Sequence, residues 1–325
     1  KRMSAHVPVL DLSAFSAAGG DKKAVVAEEM RKACVEVGFF YVKSPTLQPG
    51  VIDGGFQAMN ELFDLPLAVK ETANATNSKL YRGYQGTVSD SHSCTVGKAR
   101  DLKESFTIGA VGDDSFMHGE NQWPADCSKS IQDRLNMYWD VLMRLAKEIA
   151  ACLAISLGLE EDFFTKCMTN PVANMVLLRY PPPPMAEDGV TPLQTGCGAH
   201  TDCGFLTLLV QDKSADALQV KGKDGKWHEA PQIDETVLCN LGDMAEQWSN
   251  NFYKSTWHRV NNSSGKLRHS IPFFCNLDYD TIVDPKESVC KGMIQSLVGN
   301  PKFEAVKAGD YICQKLGIMH QGGSA

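Results

Sequence analysis

Gly198-Ala199-His200-Thr201-Asp202-Cys203-Gly204 is the stretch on which the reading of this chain turns. Residues two apart on an extended strand point to the same face, so His200 and Asp202 present an imidazole and a carboxylate side by side. Two such donors make half of a metal site. The best-placed third donor is His258, in the β-favouring run Ser255-Thr256-Trp257-His258-Arg259-Val260. Two imidazoles and one carboxylate on one face of an octahedron suit Fe(II) and leave three positions open for chemistry. Further on stand Arg268 and Ser270, again two apart. A guanidinium fork and a hydroxyl on one strand face form a clamp for a carboxylate, which is what an iron-bound keto acid needs at its far end.

Working outward, the segment from Asn174 onward consists of short β-favouring runs punctuated by Gly, Pro and Asn-Asn turns. These runs are 175–180, 205–211, 218–220, 227–230, 237–240, 255–260, 267–276 and 309–315. The tetraproline 181–184 ends one of them, because proline cannot continue a central strand. Upstream, Ile131, Leu135, Tyr138, Leu142, Leu145, Ile149 and Cys152 step by four and three and predict one long amphipathic helix over 129–158. Shorter helices are expected over 21–37 and 50–63, with strands at 7–12 and 39–42; 74–122 reads as loops with two short strands. The fold class is therefore mainly β with flanking helices, a double-stranded β-helix (jelly-roll) core with a helical N-terminal part. We expect residues 1–125 to form that N-terminal helical and loop region. Residues 126–325 would supply the support helix and catalytic core of one integrated unit.

Composition excludes several classes. A net charge of −7 and a pI near 5.6 argue against nucleic acid or an anionic membrane surface as main partner. No run reaches the length of a membrane span, and Lys1 to Leu12 lacks the apolar core of a signal peptide. The eleven Cys are odd in number and include no C-x-x-C pair, so reduced thiols in a cytoplasmic setting are expected. A monomer acting on a small-molecule substrate fits these features.

Together these residues resemble the plant- and fungal-type 2-oxoglutarate/Fe(II)-dependent dioxygenases, the superfamily that also includes isopenicillin N synthase. The resemblance covers nearly the whole chain. It is carried by Gly38-Phe39-Phe40, Arg82-Gly83-Tyr84 and Lys103-Glu104-Ser105-Phe106 upstream, and by Tyr180-Pro181, His200-Thr201-Asp202, Gly242-Asp243-Met244, His258-Arg259-Val260 and Arg268-x-Ser270 downstream. It implies Fe(II) on His200, Asp202 and His258, with 2-oxoglutarate and O2 as co-substrates. Arg268 and Ser270 would bind the distal carboxylate of 2-oxoglutarate, and Tyr180 would help to hold it. Hydroxylation, desaturation or oxidative ring closure would follow, with release of succinate and CO2.

One departure is Leu178, where the family often has Asn. Arg82 matches a position that contacts a substrate carboxylate in isopenicillin N synthase. With Arg179 it points to a small carboxylate-bearing specialised metabolite; the competing reading makes Arg82 a structural turn residue and Arg179 a solvated strand end. Glu104 and Asp243 are expected to be structural, Trp248 and Trp257 to be core, Cys197 and Cys203 to be buried thiols. His92, His118, His228, His269 and His320 are expected on the surface or in loops. Three other functions share some of these features: an iron oxidase that uses no 2-oxoglutarate, a non-catalytic binding protein on the same fold, and a zinc hydrolase. The last would need a general base near the metal that the sequence does not offer.

Overall fold

The computed structural model describes residues 7–17, 20–86, 103–112, 115, 117–182, 196–214, 217–262, 265–286 and 299–317. Strands β1 (Val9–Asp11) and β2 (Phe39–Lys43) enclose helices α1 (Ser13–Ala17) and α2 (Gly20–Glu36). Helices α3 (Val51–Phe63) and α4 (Leu67–Lys70) precede β3 (Gly83–Gln85) and β4 (Glu104–Gly109). Then come α5 (Lys129–Ser156), β5 (Pro171–Tyr180), β6 (Cys197–His200), β7 (Leu206–Gln211), β8 (Leu218–Lys221), β9 (Trp227–Glu229) and β10 (Val237–Leu241). The order closes with α6 (Asp243–Trp248), β11 (His258–Val260), β12 (Arg268–Asp278), β13 (Ile282–Val283), β14 (Val306–Lys307) and α7 (Ala308–Leu316).

Two sheets make the jelly roll. The larger runs β1-β2-β10-β7-β12-β5-β4-β3 and the smaller β6-β11-β8-β9. Strand β12 shows how one sequence serves both faces of the large sheet. Ile271, Phe273, Cys275 and Leu277 join the main apolar core, whereas Ser270, Pro272, Phe274 and Asn276 line a cavity between the sheets. This is the period-2 alternation of a strand with unlike surroundings on its two sides.

The main core is completed by α5, whose buried stripe includes Ile131, Leu135, Leu142, Leu145 and Ile149. Ser128 starts this helix by accepting a hydrogen bond from the Ile131 amide through Oγ at 3.3 Å. Helices α2 and α3 both pack against α5. A smaller apolar cluster of Phe39, Tyr41, Leu178, Leu218, Val220 and Val260 fills the space between the sheets. Among the described residues no helix is long and apolar enough to cross a membrane.

Two expectations are corrected. The run 309–315 is not a strand but lies within α7. Ala308, Ile312, Cys313 and Leu316 place apolar groups at helical spacing, and Gly317 ends the helix in the left-handed region at φ 66°. Trp257, expected in the core, is 44% exposed; the neighbouring His258 takes the inward side of the strand, so period 2 turns Trp257 outward. The nine described cysteines form no disulfide, and burial pushes the Cys152 and Cys275 thiols up to about 12. His92, His320 and the second half of the tetraproline lie outside the described residues.

The core makes a direct prediction. Leu145 is fully buried between α5 and the sheet. Leu145→Ala is expected to cost about 2–5 kcal/mol of unfolding free energy, read from the urea midpoint at unchanged slope.

Candidate active site

The small sheet brings the two histidines together. In the antiparallel pairing of β11 with β6, His258 stands directly opposite His200, and the two rings lie 4.2 Å apart between centroids. Asp202 follows β6 by two residues. Its Oδ1 lies 3.7 Å from Nε2 of His200 and 3.6 Å from Nε2 of His258. The three side chains can each offer one donor atom, all within 4.8 Å of one another. That is the spacing of ligands around a single ion.

Each donor is fixed by groups behind it. Nδ1 of His200 donates to the Gly198 carbonyl at 2.8 Å and Nδ1 of His258 to the Thr256 carbonyl at 3.0 Å. These bonds set Nδ1 as the backbone-bonded nitrogen of each ring and turn both Nε2 atoms toward Asp202. The Oδ2 atom of Asp202 accepts from Thr207 Oγ1 at 2.5 Å and from Asn240 Nδ2 at 2.7 Å. Only Oδ1 is therefore left to meet a cation.

The loop after Asp202 is pinned as firmly. The Asp243 amide donates to the Asp202 carbonyl at 2.7 Å and the Met244 amide to the Gly204 carbonyl at 3.0 Å. A Cβ on Gly242 would sit 2.2 Å from the Gly204 carbonyl oxygen, and one on Gly204 would sit 1.9 Å from Asn276 Oδ1. Gly242 demands glycine because two backbones approach so closely there, and Gly204 because the buried Asn276 side chain fills the space a Cβ would need.

The electrostatics of the triad favour a cation. Burial pushes the Asp202 carboxyl up, but the two imidazoles with Asn240 and Thr207 outweigh it and hold the group below its ordinary value. Burial draws His258 down despite Asp202. It acts the same way on His200, yet Cys197, Asp202 and the Gly198 carbonyl overcome it and raise the imidazole to about 9. With no metal, the cluster keeps a proton beside Asp202; a divalent ion takes that proton's place.

The second element is Arg268, fully buried on β12. Its terminal nitrogens donate to Ser270 Oγ and to Gln211 Oε1, both at 3.0 Å, and its guanidinium lies 5.0 Å over the Tyr180 ring. Nε is buried with no hydrogen-bond partner. Burial draws the guanidinium below its ordinary value, with Tyr180 and Asp212 opposing. A buried cation with neutral direct partners and an orphan N–H is a place for an anion. Arg268, Ser270, Tyr180 and the triad line one cavity of about 390 Å³.

Arg82 and Arg179 are placed otherwise. Arg82 is buried, and its terminal nitrogens donate to the carbonyls of Ala110 at 2.8 Å, Met117 at 2.9 Å and Gly119. Desolvation lowers its guanidinium to about 10. It touches the cavity, and its terminal donors tie a loop together through these carbonyls, the arrangement of the structural reading. Arg179 points to the opposite face of β5 from Tyr180. There it binds Glu104 through Nε, Asp64 Oδ1 at 2.9 Å and the Phe63 carbonyl at 3.0 Å. Glu104 also pairs with buried Lys70 at 2.9 Å and accepts from Tyr84 at 2.9 Å. Leu178 lines the cavity as an apolar wall between Ser105 and Ser270. His118, His228 and His269 have local partners in Ser115, Asp224 and Asp212.

Three contributors escaped the sequence reading: Thr207, Asn240 and Gln211. Thr207 and Gln211 are the two polar residues of otherwise apolar β7 and Asn240 is that of β10, buried at 6%, 3% and 3% exposure. That pattern is itself a signal, since a polar group is rarely buried without a partner.

Comparison with known proteins agrees with this geometry. Residues 7–126 match the family described as non-haem dioxygenase in morphine synthesis N-terminal, and residues 172–277 match the 2OG-Fe(II) oxygenase superfamily. The 2-oxoglutarate-Fe(II) type oxidoreductase hxnY of Emericella nidulans is 34% identical over 94% of this chain and 88% of its own length. A homoarginine-6-hydroxylase of Glycine max is 32% identical over 95% of this chain and 96% of its own length. The crystal structure of a full-length Neurospora crassa protein in complex with alpha-KG, which is 2-oxoglutarate, superimposes with a TM-score of 0.82. It is 29% identical, over 96% of this chain and 95% of that one. The chain belongs to the 2-oxoglutarate- and Fe(II)-dependent oxygenases, enzymes that draw on Fe(II), 2-oxoglutarate and O2.

Proposed function

We propose that His200, Asp202 and His258 hold the iron, that Arg268 and Ser270 bind the distal carboxylate of 2-oxoglutarate beside Tyr180, and that the chain oxidises a C–H bond of a small molecule in the same cavity. The observation that carries this reading is the buried Arg268, with its orphan Nε, lining one cavity with a His-Asp-His cluster. The donor set fits Fe(II): two neutral imidazoles and one carboxylate oxygen leave coordination positions for a chelating keto acid and O2. When bound, iron with 2-oxoglutarate supplies an oxidant strong enough for an unactivated C–H bond, at the cost of decarboxylating the co-substrate to succinate.

The protein's own part is positional. Thr207 and Asn240 keep Asp202 from turning a second oxygen to the metal. Gln211, anchored on the Ala230 carbonyl at 2.7 Å, holds the Arg268 fork flat against Ser270. Phe39, edge-on to His258 at 5.3 Å, shields the centre from water on one side. Whether hydroxylation, desaturation or ring closure results depends on which C–H bond the walls present. The relatives' named substrates differ, homoarginine among the curated proteins and thymine in another solved complex of the Neurospora crassa protein, so they support a small molecule and no narrower choice.

Protein loaded with Fe(II) without oxygen, then given O2 and labelled 2-oxoglutarate, is expected to release labelled CO2 and succinate. No turnover with any substrate would sink the reading. Arg268→Leu is expected to raise the KM for 2-oxoglutarate about a hundredfold or more while leaving iron content unchanged, since a buried charge-assisted pair is lost. Thr207→Val together with Asn240→Leu is expected to lower iron affinity roughly 10–100-fold, measured by chelator competition, with all three ligands intact.

A further inference from the structure

We infer that the cavity wall formed by β5, β4 and β3 recognises an uncharged cyclic amide or a close relative, with Asn174 its principal specificity-determining contact. This rests on the metal and co-substrate assignment just proposed and goes beyond it to the substrate class.

Strand register locates this wall. Thr207, which bonds the iron-facing Asp202, stands opposite Phe274 on β12, and Phe274 stands opposite Asn174 on β5. Asn174 is thus two strand spacings, roughly 10 Å, from Thr207 across the sheet. Ser270 lies four residues from Phe274 along β12, roughly 13 Å at strand rise. A co-substrate reaching from the metal to Arg268 and Ser270 therefore runs along β12. The part of the floor beside it belongs to Asn174, to Thr107 and Ser105 on β4, and to Gln85, which is opposite Ser105.

The chemistry of these groups is uniform. Asn174 and Thr107 are half-buried, and their side chains make no hydrogen bond within the described residues. The Ser105 hydroxyl donates to Gln85 Oε1 at 3.3 Å, which leaves the Gln85 amide nitrogen to the cavity. Amide and hydroxyl groups offer both donors and acceptors, the complement of an amide edge. Phe274 supplies an apolar face next to them.

The charged groups on this half stand away from Asn174 and Thr107 in the chain, on 79–82 and at 103. Among the described lining residues Asp202 is the sole carboxylate, and it faces the metal. Arg82 spends its terminal donors on backbone carbonyls, and Lys79 is exposed at the edge of the cavity. Lys103, one residue before β4, already has an interaction of its own. Asn174 and Thr107 themselves offer no counter-charge to an ionic group that loses its water against them. Hydrogen bonding of a neutral group carries no such penalty.

The test uses the full chain as its oxygen-free Fe(II)–2-oxoglutarate complex, whose visible charge-transfer absorption shifts when a ligand settles beside the metal. Three planar probes of similar size are titrated: 2-pyridone, neutral with an amide edge; benzoate, an anion; and benzamidine, a cation. We expect 2-pyridone to shift the band and to bind about tenfold or more tightly than either ion. Asn174→Leu and, separately, Thr107→Val should each weaken 2-pyridone about tenfold with 2-oxoglutarate affinity unchanged. Asn174→Asp should turn the preference toward benzamidine. A band that forms but is left unmoved by 2-pyridone, equal or better binding of benzoate or benzamidine to the unaltered chain, or indifference to the Asn174 variants each overturns this inference alone. Failure of the band to form overturns the assignment of the centre, and this inference with it.

Discussion

The antiparallel register of β11 on β6 sets His258 opposite His200, and the centre depends on that pairing more than on any other contact. A slip of one residue would turn His258 to the other face of the sheet and leave two ligands where three are needed. The pairing is held from several directions. β11 is bonded on its other side to β8, with His258 opposite Val220. Backbone bonds tie the loop after Asp202 to the start of α6, and Thr256 Oγ1 donates to the Val37 carbonyl at 2.6 Å. The small sheet carries the histidines, while the large sheet fixes the carboxylate through Thr207 and Asn240. The candidate metal position therefore lies between two sheets, the larger of them backed by the helical core.

A division of labour comes from the same layout. His258 and Arg268 sit on central strands, β11 and β12, where a shift of any residue disturbs hydrogen-bonded neighbours on both sides, and His200 ends the edge strand β6 that pairs with β11. The groups that face the rest of the cavity sit toward the β3 edge and on segments such as Leu80, Met117 and Ile312. Those can change with less consequence for the chemistry. Relatives with differently named substrates share the fold at similar identity, in keeping with this separation.

Much of this was legible in the sequence. The triad could be read because period 2 forces His200 and Asp202 to one side, and the same rule paired Arg268 with Ser270. Applied once more, it would have parted Tyr180 from Arg179, which as chain neighbours cannot both face the cavity. Arg82 was harder: nothing in Arg-Gly-Tyr says that its partners are the carbonyls of residues 110, 117 and 119, since those contacts exist only after the loop has folded. Thr207, Asn240 and Gln211 carried a composition signal, but their partners come from register, which local pattern does not set. The stretch 309–315 was misread because so short a run, alternating and β-favouring on its surface, also satisfies a helical period once Ala308 and Leu316 are counted.

Asp202 presents a single oxygen because its other one is already taken by Thr207 and Asn240. With three protein donors and no fourth among the described residues, such a centre would grip a divalent ion only moderately and have little means of choosing among ions of similar size. Affinities of nitrogen and oxygen sites climb from manganese and iron through cobalt and nickel to copper. The occupant is then decided by which metal the surroundings supply, and an excess of nickel, cobalt or zinc becomes a route to poisoning that no substitution in the substrate wall would relieve.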